Sequence, residues 1–142
     1  MNIIGSPALV GRDQYRSRQF SKLAAVLFLF SAVVYSAVVL GGLPDTFPFM
    51  VGPVVIALGV ATLNAYLNDG LLVSALMTVA FAFGGIIAML IDASLGPISY
   101  PITLTGTLSI TLFFVGMGVG AFVIGAGSRR IVQISGKLAF NV

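Results

Sequence analysis

Residues 107–127, TLSITLFFVGMGVGAFVIGAG, carry no charge and run directly into Ser128-Arg129-Arg130. As a helix rising about 1.5 Å per residue, this stretch is long enough to cross a hydrocarbon core of about 30 Å. An unpaired strand cannot persist there, because its N–H and C=O groups would find no partners, so the stretch reads as a membrane helix. Gly116, Gly118, Gly120, Gly125 and Gly127 would each weaken an isolated helix in water by up to about 1 kcal/mol against alanine. Packing accounts for them better. Helices in lipid associate through close backbone approach, and Gly116-x-x-x-Gly120 puts two bare patches one turn apart on one face. The sequence therefore predicts that the other spans gather on this helix, with Gly116 and Gly120 as its helix-packing contacts.

Three more apolar runs precede it, at residues 23–40, 50–67 and 71–91. The first follows a basic stretch, as a signal peptide would, but its length exceeds the apolar core of such peptides, about 7 to 15 residues. It ends at Gly41-Gly42-Leu43-Pro44, a helix stop. In the second, Pro53 falls in the expected first turn, where its missing N–H costs little. Small residues recur at four-residue spacing in the second run (Ala57, Ala61, Ala65) and in the third (Ala80, Gly84, Ala88), marking smooth faces for close helix packing. Asn68-Asp69-Gly70 is the shortest connection. It reads as a hairpin turn in which Asn68 and Gly70 take the special backbone angles and Asp69 caps the following helix. Residues 102–106 can be read as helix or as extended chain, because threonines alternate there with apolar residues.

Composition agrees with a membrane domain spanning all 142 residues, with tails at 1–22 and 128–142. Hydrophobic residues make up 58% and charged residues 8%, against about a quarter charged in soluble proteins. The mean hydropathy is +1.12. All seven basic residues lie in the two tails: Arg12, Arg16, Arg18, Lys22, Arg129, Arg130 and Lys137. They flank spans and form no basic surface for nucleic acid, so they read as topology signals or lipid-headgroup contacts. The positive-inside rule then puts both tails and the Asn68-Asp69-Gly70 turn in the cytoplasm, with Asp45 and Asp92 outside. The expected fold is an all-α integral membrane protein, four transmembrane helices in an antiparallel bundle, in the cell membrane or a membrane derived from it.

Little reactive chemistry is on offer. Cysteine, histidine, tryptophan and glutamate are absent, which removes thiol chemistry, imidazole metal or haem ligation and histidine acid–base catalysis. No cofactor, metal or catalytic residue is expected. The first span lacks the carboxylate of small multidrug exporters, and no mid-span carboxylate matches a rotor proteolipid. Retinal proteins need a buried lysine, and Gly106-Thr107-Leu108 continues as Ser-Ile-Thr, unlike the filter run of small fluoride channels. Near Ser31, Ser74 or Ser109 no general base is available for a serine protease. Asn64 reads as polar glue between helices. Asp92, at the expected end of the third span, is the one charged group close enough to a span to couple a flux.

The pieces AYLNDGLLVS and VIGAGSRRIV resemble small multi-span membrane proteins of salt-loving archaea and of their lipid-enveloped viruses. The resemblance implies a small multi-pass membrane protein and assigns no functional residue. Taken together, the sequence predicts a structural or accessory membrane component that packs with copies of itself or within a larger membrane complex. The alternative is an oligomeric passive channel or small-solute transporter with a polar path along Asn64, Thr107, Thr111 and Asp92.

Overall fold

The computed structural model describes Leu9 and residues 11–95 and 103–139. Four long helices carry these residues: α1 (Gln14–Val39), α2 (Phe47–Asn68), α3 (Leu71–Leu95) and α4 (Leu104–Ala139). Each is long and apolar enough to cross a membrane. Among the described residues there is no strand. Thr103 begins the fourth helix, its Oγ1 accepting from the Gly106 N–H at 3.1 Å, so 103–106 is the start of α4, while Ile102 lies outside the described residues.

Helix boundaries follow local chemistry. α1 begins well before its apolar run because the Asp13 carboxylate accepts from the Tyr15 N–H at 2.8 Å, capping a first turn that carries Arg16. It closes in a Schellman motif: Gly41 takes φ 75°, its N–H bonds the Val38 carbonyl, and the Gly42 N–H reaches Ala37. α2 starts at Phe47, so Pro53 sits inside the helix and not in its first turn, removing the N–H that would bond the Phe49 carbonyl. In the α2–α3 turn the left-handed residue is Asp69, at φ 54°. Asp69 thus closes α2, and the Gly70 carbonyl accepts the first bond of α3 from Ser74 N–H. Asp69 does not cap α3.

The organising helix is α3, not α4. It packs against all three others, most extensively against α1, and α4 packs on α2 and α3. In its most apolar window 44% of residues are buried, against 17% in α4. Phe81 lies at the centre, 1% exposed, with the rings of Tyr35 and Phe114 at 5.9 and 5.8 Å. Around it lie Met77, Val73, Ala61 and Leu27.

Close approach runs through other glycines than the expected pair. A Cβ on Gly84 would run into Phe28 O and Ser31 Oγ of α1, one on Gly118 into Ala75 and Thr78 of α3, and one on Gly125 into Thr62 O and Ala65 of α2. At Gly116 and Gly120 a Cβ would meet nothing within 4 Å. The geometry explains this: residues two apart stand about 200° apart around a helix, so when Gly118 faces α3 its neighbours at 116 and 120 face away. A side chain added at Gly116 or Gly120 would point into open space among the described residues. The alanine stripe of α2 does face inward, with Ala57, Ala61 and Ala65 all buried, as are Gly84 and Ala88 on α3. Ala80 is partly buried against the core.

Candidate functional site

One end of the molecule is tied by a polar cluster around the α2–α3 turn. Asn68 is fully buried. Its Oδ1 accepts from the Asp13 N–H at 2.9 Å, and its Nδ2 donates to Ser17 Oγ at 2.8 Å. The Arg12 N–H donates to the Asn68 carbonyl at 2.9 Å. Gly11 permits this approach: at φ 110° it lies where a Cβ would strike the Asn68 amide, a conformation and a gap that suit glycine alone. The start of α1 is thereby fixed to the end of α2.

Asp69 carries the charge of the cluster. Its side chain is 10% exposed, and Oδ2 receives Arg12 Nε at 2.6 Å and Arg129 Nη1 at 3.5 Å. Arg129 also donates to the Tyr66 and Leu67 carbonyls at 3.4 and 3.3 Å. Those carbonyls belong to the last turn of α2, where the helix dipole is negative and a guanidinium is stabilising. One carboxylate thus clasps the chain before α1, the α2–α3 turn and α4. Beneath it, Asn64 Nδ2 donates to the Gly70 carbonyl at 3.1 Å and to Ser74 Oγ at 2.9 Å, and Ser74 Oγ donates on to the Ala61 carbonyl at 3.0 Å. Asn64 Oδ1 is buried without a partner among the described residues.

The other end is open. A cavity of about 280 Å³ lies between α1, α3 and α4, with Met50 of α2 at its edge and Tyr35, Phe81, Phe114 and Asp92 in its wall. Tyr35 Oη donates to the Met50 carbonyl at 2.9 Å. α3 runs on past Asp92 to Leu95, so this carboxylate stands in the last turn of the helix and lines the cavity there.

The residues of the expected polar path do not meet within the chain. Asn64 belongs to the clasp end. Ser74, its partner, and Asp92 are separated along α3 by roughly 27 Å at 1.5 Å per residue. On α4, Thr107 and Thr111 hydroxyls donate back to the Thr103 and Thr107 carbonyls, at 3.2 and 2.8 Å, the usual way a helix absorbs hydroxyls in an apolar setting. The basic residues divide. Arg12 and Arg129 join the clasp, Arg16 pairs with Asp13 at 3.5 Å, and Arg18, Lys22 and Arg130 are exposed.

Sequence reasoning missed the clasp although it located all three members, because it treated the basic residues as flanks. A signal was present: a lone acid in the tightest turn, which the positive-inside rule expects on the same side as both basic tails. No known family model matches the chain, and no curated protein and no solved structure is similar to it.

Proposed function

We propose that the chain is a multi-pass membrane protein whose helices cross the bilayer as an antiparallel bundle with both termini in the cytoplasm, and that it serves as a non-catalytic structural or accessory component. The observation that carries this reading is the clasp. A buried carboxylate shared by two arginines from opposite ends of the chain does the work of fastening. The exposed apolar surface supports the membrane setting: Val33, Leu112, Phe113, Val123 and Ile124 are each more than half exposed, a surface that water would penalise and lipid would not. Orientation rests on the positions of the basic residues.

Self-association is part of the proposal. The outward side of α4, with open space over Gly116 and Gly120, is the face on which a second copy, or a helix of a larger membrane complex, would pack by close backbone approach. The channel reading draws less support, because Asn64, bonded to Ser74 in the first turn of α3, and Asp92, in its last turn, lie toward opposite ends of the bundle.

Two measurements test this. Single cysteines introduced into a chain that has none, at Gln19, Thr46, Ser94 and Ser135, are probed with an impermeant thiol reagent in intact cells. Thr46→Cys and Ser94→Cys label, and the other two do not; labelling of Gln19→Cys without Ser135→Cys would mean an odd number of crossings. Purified protein in liposomes carries no proton or salt flux above empty vesicles, and a flux that disappears in Asp92→Asn would replace the structural reading by the transporter.

A further inference from the structure

We propose that the cavity between α1, α3 and α4 holds one chain of a membrane lipid whose headgroup bears an ammonium, with Asp92 pairing that ammonium. The inference rests on the reading that these helices cross a bilayer. From Phe81 at the floor to Asp92 near the end of α3 is roughly 16 Å at 1.5 Å per residue, so the cavity is a groove and not a rounded pocket. Its walls are aliphatic and aromatic, with Phe81 and Phe114 at the floor and Gly85 leaving the Tyr35 ring uncovered. At about 280 Å³ the groove has the capacity of several waters, yet a retained water needs two to four polar partners and this wall supplies few. A hydrocarbon chain satisfies it.

Access and charge select the occupant. Val39, Met50 and Met89 at the rim are 37%, 43% and 51% exposed, on the surface that lipid would cover, so the groove is entered sideways from the bilayer. Among the described residues in its wall Asp92 is the one charged group. The Tyr35 hydroxyl is already committed to the Met50 carbonyl, leaving the carboxylate to face the headgroup. An anionic lipid would set like charges together at the mouth, whereas an amino headgroup pairs there while its chain lies in the groove.

The chain has no tryptophan, so one introduced indole reports alone. Phe114→Trp places it at the floor, and Phe113→Trp, at a position 63% exposed, reports bulk lipid. Each variant is reconstituted in mixed vesicles of ethanolamine and glycerol phospholipids, with the chains of one class brominated to quench fluorescence. The bulk reporter, Phe113→Trp, is quenched equally by both classes. The floor reporter, Phe114→Trp, is quenched preferentially by the ethanolamine class, roughly threefold, the size of a single exposed ion pair. Adding Asp92→Asn abolishes the preference, while Gly85→Leu, which fills the groove, lowers quenching by both classes. Val38→Trp gives a second reporter within the wall should Phe114→Trp fail to fold. Equal quenching of the floor reporter by both classes overturns the headgroup assignment, and no quenching there overturns lipid occupancy. Absence of quenching in the Phe113→Trp variant would instead strike at the membrane reading itself.

Discussion

Replacing Asp69 by asparagine keeps the shape of the α2–α3 turn and removes only its charge, since asparagine tolerates the left-handed angle that residue 69 adopts. The change leaves two guanidiniums facing each other. Opposite unit charges about 4 Å apart attract by roughly 4 kcal/mol at an effective dielectric near 20, and losing one partner of a buried pair costs about 3 to 5 kcal/mol. The structure argues for less than the upper end. Arg12 is 52% exposed and regains water, whereas Arg129 is 22% exposed and keeps, among the described residues, the Tyr66 and Leu67 carbonyls. The expected loss is therefore about 2 to 3 kcal/mol, most of it through Arg129. Unfolding in mixed micelles measures it, and a double-mutant cycle with Arg129→Gln should give a coupling of at least about 1 kcal/mol. Because Arg12 also holds the chain before α1, Asp69→Asn should speed tryptic cleavage after Arg12 and Arg16. A variant within about 0.5 kcal/mol of the wild type, with unchanged cleavage, would refute the clasp as a fastening element.

The glycine faces of α4 give a contrasting pair of outcomes. Gly118→Leu and Gly125→Leu should each destabilise the folded chain by about 1 to 3 kcal/mol or more, through overpacking against α3 and α2, while Gly116→Leu leaves unfolding unchanged and weakens only association between copies, read as loss of disulfide cross-linking through Gly120→Cys in membranes. At the α1–α3 crossing, Ser31 Oγ donates to the Phe81 carbonyl at 2.7 Å. Ser31→Ala should cost about 0.5 to 1.5 kcal/mol in the same micelle assay, and Ser36→Ala, which makes no such contact across helices among the described bonds, should cost less.

The positions of all four helices were legible because hydrocarbon imposes a length and a polarity that few sequences meet by accident. Their ends were less so. Residues 14–22 and 128–139 mix basic and polar residues with apolar ones, and a membrane reading stops where the continuous apolar run stops, yet Arg, Lys and Gln are good helix formers in water and the Asp13 cap starts α1 among them. Which glycines pack was hidden for a different reason. α4 carries glycine on opposite sides, and spacing alone ranks Gly116-x-x-x-Gly120 above Gly118 and Gly125, seven apart. Only the placement of α2 and α3 decides. The turn offered Asn68 and Gly70 for the left-handed angle, but α2 continues through Asn68, whose side chain bonds Asp13 and Ser17, and Asp69 takes the angle as the residue that ends it. The sequence hinted at an acid near basic tails, but which two arginines meet it needed tertiary structure, since Arg12 and Arg129 are separated by most of the chain.

The two ends of the bundle differ in what they ask of the helices. At the clasp, bonds from Asn68, Asp69 and Arg129 join segments far apart in sequence, and each bond is worth most where water is scarce. Away from it, α1 leaves through Gly41 and Gly42, where an added side chain would meet little, and the walls around Tyr35, Phe81 and Phe114 stand apart far enough to form a groove. α3 is common to both ends. Because Gly84 lets the α1 backbone lie directly on α3, with Ser31 bonded to Phe81 one turn away, the α1–α3 pair is held along its middle and not only at the clasp. Toward the far ends of α1 and α4, beyond Ser31 and Phe114, no bond between helices other than that of Tyr35 to Met50 is found among the described residues. The ties that join distant parts of the chain thus concentrate at the clasp, and the groove opens where they are fewest.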